Sequence, residues 1–320
     1  MEAFRPQVDF IARHRVAAVV VFLSLFPLLV PYQALAVNIL IFGLYAMGFN
    51  ILFGYTGMLS FGHAAFLGTG SYGAGIAIVH LGWPWYVAIA TGVAAATAVG
   101  MVVGFLAIRA RGIYFAMVTL ALAQCVYYVF FQAETYTGGE NGLRGVEVGV
   151  IDLFGWRLDF VDPTVKYYVV LAFVAFALWF VSRVLGSPFG AVIETVRENE
   201  RRAQACGYDV ARTKLVAFVI SAALCGLAGT LRALHLSIVP IDSLHYLTSG
   251  LVVMMCLLGG MGTFFGPFVG AATLLLIEET FTNLTRHWQL ITGVVFMACV
   301  LFFPRGIWGS ILHWIRREGR

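Results

Sequence analysis

From Val16 to Ile108 the chain carries no aspartate, glutamate, lysine or arginine. A water-soluble domain cannot clothe its surface without charge over such a length, whereas a hydrocarbon layer demands that absence. One charge at the bilayer centre costs about 2.5–3.5 kcal/mol on insertion scales. The whole sequence agrees, at 61% hydrophobic and 11% charged residues, where soluble chains carry about a quarter charged. The expected fold class is therefore all-α: a polytopic transmembrane helix bundle with helices broken at glycine-rich turns. No stretch between the apolar segments is long enough to build a soluble core. Residues 1–320 read as one transmembrane domain, with an outer loop at 133–165 and an inner loop at 186–213.

Two compositional features carry little chemistry. The cysteines (Cys125, Cys206, Cys225, Cys256, Cys299) are scattered without metal-ligand or CxxC spacing, so they read as small packing residues. The net charge of +4 reflects where arginines sit relative to a membrane and implies no nucleic-acid partner.

A span needs about 20 apolar residues, and ten candidates follow: 16–31, 34–53, 62–80, 84–108, 112–132, 166–185, 214–235, 244–260, 264–282 and 288–304. The first follows Arg5, Arg13, His14 and Arg15 and precedes Ala34-Leu35-Ala36, a pattern shared with signal peptides. It is read as an uncleaved helix; either way the next segment starts outside. With the N-terminus inside and strict alternation, the inner segments hold all basic residues except Arg144, Arg157, Lys166, Arg232 and Arg286. That bias places both termini in the cytoplasm. The spans read as free of carboxylates, which argues against a proton- or sodium-coupled carrier.

Small residues recur every fourth position at Gly92, Ala96, Gly100 and Gly104, at Ser221, Cys225 and Gly229, and at Gly266 and Gly270. Such stripes let helix backbones approach and read as packing. The turn Gly57–Gly68 faintly resembles Gly260–Gly270, and both join two spans at the inner side. Tyr55, Thr56, Ser60 and His63 are polar groups in the first of these turns. They are either a gate or pathway element, or a tight turn capping the next span. His63 alone reads as a hydrogen-bonded structural residue. Asn38, Asn50 and Gln124 are further buried polar candidates. Outside, Thr137–Gly145 and then Asp152, Arg157, Asp159 and Asp162 suggest short irregular structure, either a docking surface or an ordinary solvated loop.

The inner loop is the most informative segment. Pro188 and Gly190 end the preceding span. Phe189, Val192, Val196 and Ala203 then fall near one helical face, with Glu194, Arg197, Glu198, Arg201 and Arg202 on the rest. Glu198 and Arg202 have i,i+4 spacing, and Gly207 suits a left-handed helix terminator. An amphipathic helix here either docks into a groove on a cytoplasmic motor or lies on the lipid interface.

Three motifs in order carry a family resemblance: Asn50–Phe66, Arg197–Gly207 with Lys214–Gly229 after it, and Leu257–Pro267. Together they resemble LivM-type branched-chain amino acid ABC transporter permeases, over about residues 35–305. The resemblance implies a subunit of a bacterial inner-membrane importer. A second related permease would pair with it, two cytoplasmic ATPase subunits would dock beneath, and a periplasmic substrate-binding protein would deliver the solute. Glu194, Arg197, Glu198, Arg201 and Gly207 would then belong to the coupling helix. The chain lacks a G-x-x-x-x-G-K-[ST] loop, and its only lysines are Lys166 and Lys214. ATP and Mg would therefore be held by the partner subunits, and no cofactor is expected in this chain. By resemblance the substrates are leucine, isoleucine and valine, with urea, short amides or aromatic acids as alternatives. A passive small-solute channel would leave the inner helix idle. A membrane enzyme would need paired carboxylates, HExxH or G-x-S-x-G, which the spans lack.

Overall fold

The centre of the bundle comes from the charge-free stretch. The structure is a computed structural model that describes residues 32–302 and 306–310, apart from 149, 154, 155, 161 and 283–287. The expected span 16–31 and both chain ends lie outside these residues. Helix α1, Gln33–Asn50, continues through a widened π-helical turn, Ile51–Tyr55. Its apolar residues run all round the helix, and such a helix is buried on every side. Accordingly 83% of its membrane window is covered by the rest of the chain. Around it stand α2 (His63–Val79), α3 (Trp85–Ala107), α4 (Ile113–Gln132), α5 (Pro163–Leu185), α8 (Val210–Leu236), α9 (Tyr246–Gly259), α10 (Gly266–Thr282) and α11 (Trp288–Phe302). Between α5 and α8 lie two short helices, α6 (Pro188–Glu198) and α7 (Glu200–Ala205).

Five of these helices have the length and composition to cross a membrane: α1 with its π-turn, α3, α4, α5 and α8. The other candidate spans are realised as shorter helices. α2 and α10 have 17 residues each, α9 has 14 and α11 has 15. The glycine-rich turns account for the difference, because residues 56–62 and 260–265 stay non-helical where continuous spans were expected to begin or end. One expectation fails: Glu278 and Glu279 lie within α10, so the spans are not free of carboxylates. They occupy its last two turns, where the helix end brings the charge toward the interface.

The small-residue stripes sit where backbones cross. α8 packs against α2 and α3, with Gly226 against Ala96 and Ala222 against Gly100. A methyl on Gly229 would strike the Leu67 carbonyl of α2. Such closeness supplies dispersion where lipid offers no hydrophobic drive between helices. Hydroxyls and thiols fill the remaining backbone valences. Ser71 Oγ donates to Gly229 O at 2.8 Å, and Cys256 Sγ to Ala46 O at 3.1 Å.

The outer loop is more ordered than its turn residues suggested. Strand β1 (Leu143–Arg144) pairs antiparallel with β4 (Ile238–Val239), which follows α8. Strands β2 (Val150–Leu153) and β3 (Trp156–Asp159) form a hairpin, and Asp162 caps α5 by accepting from Thr164 N at 2.9 Å. These ladders are small additions to a helical bundle.

Candidate functional site

The two look-alike turns meet at the inner end. The link is Asn50, the last residue of α1 and fully buried. Its Nδ2 donates to Thr263 O at 2.9 Å, and its Oδ1 accepts from Gly262 N at 3.0 Å. Gly54 sits against this clip, so a methyl there would collide with the Asn50 amide and with Gly262 N. The widened turn at Ile51–Tyr55 is the sort of helix distortion found where a chain must present its backbone to a neighbour. Here the presented group is the Gly54 carbonyl, which accepts from Arg197 Nη1 of α6. The Arg197 stem passes over Gly57, and its guanidinium lies beside Gly262. One arginine thus joins α6 to both turns.

α6 folds onto this junction by the face its spacing implied. Ser187 and Pro188 start it, since proline at the first position loses no helical hydrogen bond. Ile193 is buried against Tyr55 and Ala217, flanked by Leu185 and Phe189. Val196, Ala203 and Val210 form a second small cluster with Val192. Glu194, Glu198 and Arg201 remain exposed. Gly207 ends α7 with φ of +88°. Tyr208 N bonds to Ala203 O and Gly207 N to Gln204 O, the paired bonds of a Schellman terminus.

The expected single helix is instead two. Asn199 takes extended angles (φ −159°, ψ 101°) and caps α7 through its side chain, accepting from Arg202 N at 3.0 Å. Glu198 and Arg202 therefore do not share a continuous helix, and no ion pair joins them among the described residues. The carboxylate that does pair is Glu200, 2.9 Å from Lys214 Nζ and 3.7 Å from Arg111 Nη2. Between α6, α7, the 56–59 turn and the α3–α4 connection lies a cleft of about 230 Å³, bordered by Thr56, Arg111, Arg197, Glu198 and Lys214.

Thr56 and Ser60 of the first turn are hydrogen-bonded locally. Thr56 Oγ1 donates to Leu52 O, with Ile51 O at 3.2 Å. Ser60 Oγ accepts from Gly62 N at 3.2 Å, and Phe61 N donates to Thr119 Oγ1 of α4 at 3.2 Å. His63 stands apart from the cleft, enclosed by Phe49, Phe66 and Phe218. Its Nε2 is 2.9 Å from Ser221 Oγ, whose hydroxyl donates to Gly48 O at 2.6 Å. That direction makes Ser221 the acceptor and places the ring proton on Nε2. The hydrogen bonds of Thr56 and Ser60 are those of a braced turn.

Thr56, Arg197 and Glu198 thus gather at the inner cleft, Tyr55 packs beside it against Ile193 and Ala217, Ser60 and His63 lie beyond it, and Arg201 and Gly207 are exposed on α7 and its terminus. Sequence reasoning missed Glu200, Lys214 and Arg111 as members of the site and saw Asn50 only as a buried polar residue. Lys214 was the available signal: it is one of two lysines and opens an apolar span.

Comparison with known proteins bears on what this arrangement serves. The family model described as "Branched-chain amino acid transport system / permease component" matches residues 32–303. The chain is similar to the high-affinity branched-chain amino acid transport system permease protein LivM of Escherichia coli (strain K12). The two are 28% identical over 287 residues, covering 84% of this chain and 68% of that protein. The protein of the same name from Salmonella typhimurium is 28% identical over 292 residues, covering 85% and 69%. A probable branched-chain amino acid transport permease protein LivM of Methanocaldococcus jannaschii is 26% identical over 192 residues, covering 57% and 53%. No solved structure matches the chain. With more than half its length matched, and with apolar helices packed as a bundle, the chain belongs to the family of branched-chain amino acid transport system permease components.

Proposed function

We propose that this chain is one membrane-spanning half of an ATP-driven importer of branched-chain amino acids, paired in a bacterial inner membrane with a related permease. Two cytoplasmic ATPase subunits supply the energy, with ATP and Mg held there, and a periplasmic binding protein delivers the solute. In this reading the Asn50–Arg197 end and both chain termini face the cytoplasm, which the excess of basic residues in the inner segments supports. The family match supports the importer class. The observation that carries the coupling role is the fastening of α6. One face of it is clamped to both glycine-rich turns through Arg197 and Ile193. Its other face leaves Glu194 and Glu198 exposed for a motor domain.

In this reading, closure of the motor pushes α6 and α7, and the push reaches α1, α2, α9 and α10 through the turns they end on. Arg197 serves inside the subunit, while Glu194, Glu198 and Arg201 face the partner. Gly207 sets the direction in which the chain returns to α8. Tyr55, Thr56, Ser60 and His63 brace the turn that closes the inner side of the path. Gentle solubilisation of the tagged chain, with mass spectrometry of what co-purifies, tests the assembly. Recovery of a second permease and two ATPase chains supports it. Recovery of this chain alone, passing solute without ATP, would replace it with a self-contained channel.

A further inference from the structure

Arg232 is one of the basic residues that the inner segments do not hold, and it sits within an apolar span. It lies one turn from the outer end of α8, a helix long and apolar enough to cross a membrane. A charge there is costly unless an opposite charge meets it. Yet no ion pair joins Arg232 to any of the described residues. Its guanidinium carries five N–H donors, and among the described residues it makes one long hydrogen bond, from Nη1 to Ser243 Oγ at 3.3 Å. Its central carbon stands over the Phe42 ring of α1, 5.3 Å from the centroid. Asp242, in the turn Ile241–Leu244, is the carboxylate within electrostatic reach, but it is exposed and closes no ion pair.

The surroundings of this arginine are short of partners too. Tyr45 of α1 and Tyr72 of α2 are fully buried, and neither hydroxyl makes a hydrogen bond. Ser249 stands near Tyr45 Oη but outside bonding geometry, and its own Oγ accepts from Ala64 N at 2.8 Å. Tyr45 is within electrostatic reach of Arg232, and Tyr72 of Asp242. His235 follows Arg232 by three residues on α8; its Nδ1 is buried and unpaired, and Lys166 Nζ donates to its backbone carbonyl at 3.4 Å. Buried polar atoms nearly always find a partner. Three orphans around an underused guanidinium therefore call for a group that the fold itself does not supply. The charges say which kind. Arg232 and Lys166 outweigh Asp242, and a guanidinium fork beside two hydroxyls is a donor set matched to a planar oxyanion.

We propose that this outer cluster binds the carboxylate of the transported solute, with Arg232 as the residue that touches it and the Tyr45 and Tyr72 hydroxyls as further donors. The inference rests on the importer reading above and narrows its substrate class to solutes that carry a carboxylate. Asp242, on the exposed side of the cluster, is placed to meet an ammonium on the same solute. Urea and neutral amides bring no charge to balance Arg232.

Two measurements on the co-purified complex test it. The first is the thermal unfolding midpoint in detergent, read with isocaproate (leucine without its ammonium) and with isoamylamine (leucine without its carboxylate). Isocaproate is expected to raise the midpoint of the parent by a few degrees and that of Arg232→Met not at all, while isoamylamine raises neither. The second is leucine uptake into proteoliposomes with the binding protein present. Arg232→Met is expected to lower it by about tenfold or more, the weight of a lost charge-assisted pair. Arg232→Lys keeps the charge without the fork and is expected to fall between the two. Without any probe, the midpoint of Arg232→Met should equal or exceed the parent's, because an apolar chain replaces an unpaired charge. A lowered midpoint would make Arg232 a structural anchor and overturn the site, as would parental uptake in Arg232→Met or equal shifts with the two probes. Where Arg232→Met does not assemble, Arg232→Lys is read by the isocaproate shift, which a structural anchor would leave at its parental size. Leucine uptake that ignores ATP, with the isocaproate shift intact, would instead overturn the importer reading and leave the site standing.

Discussion

Replacing Asn50 by alanine tests the junction between the two turns. The side chain is fully buried and makes two hydrogen bonds, one to Thr263 O at 2.9 Å and one from Gly262 N at 3.0 Å. Each net bond contributes about 1 kcal/mol, and each partner left unpaired and dry costs about 1–3 kcal/mol. The 260–263 turn is only partly buried, so water recovers some of that penalty. A total near 3 kcal/mol follows, a shift of about a hundredfold in the folding equilibrium. The assay is unfolding of the purified chain in mixed micelles titrated with a denaturing detergent, followed by tryptophan fluorescence. Asn199→Ala serves as comparison, because it removes one exposed cap bond and should cost about 1 kcal/mol. An Asn50→Ala cost no larger than that of Asn199→Ala would refute the junction.

Four further outcomes follow from neighbouring geometry. Gly229→Ala drives a methyl into the Leu67 carbonyl and should abolish folding of the α2–α8 pair. Gly250→Ala, which meets nothing within 4 Å, should be neutral or stabilising by up to about 1 kcal/mol; yields of monodisperse protein distinguish the two. Ser221→Ala strands His63 Nε2 among aromatic rings and should lower stability by about 1–3 kcal/mol in the same titration, with serine-sized Cys recovering part of it. A Cβ at Gly207 meets nothing within 4 Å, so Gly207→Val acts chiefly through backbone strain, about 1–2 kcal/mol at φ of +88°. That strain should re-aim α7 and uncouple ATP hydrolysis from uptake while the subunit still inserts.

What could be read from sequence followed the range of each signal. Local patterns were legible: the absence of charge marked α1 to α3, four-residue spacing marked the packed stripe of α3, and Gly207 marked the end of α7, although the α8 residues that meet that stripe, Ala222 and Gly226, were not singled out. The apolar face of α6 was correctly placed at Phe189, Val192 and Val196, although Ile193, its most buried member, was not singled out. The break at Asn199 was illegible, because an asparagine between two glutamates fits mid-helix spacing as well as a cap. Asn50 clasps residues more than 200 positions away, and no local periodicity carries that pairing. The same holds for Arg197, whose charge pointed to a partner but whose guanidinium bonds a backbone carbonyl of its own chain. Glu278 and Glu279 were overlooked because the flanking residues are apolar enough to outweigh them.

The most direct measurement of the central claim is leucine uptake into proteoliposomes carrying the co-purified complex, with ATP supplied to the face that bears Glu194 and Glu198. The account predicts concentrative uptake that requires ATP and the binding protein, and that is absent when this chain is reconstituted alone. Leucine equilibrating through this chain alone, with no nucleotide present, would contradict it.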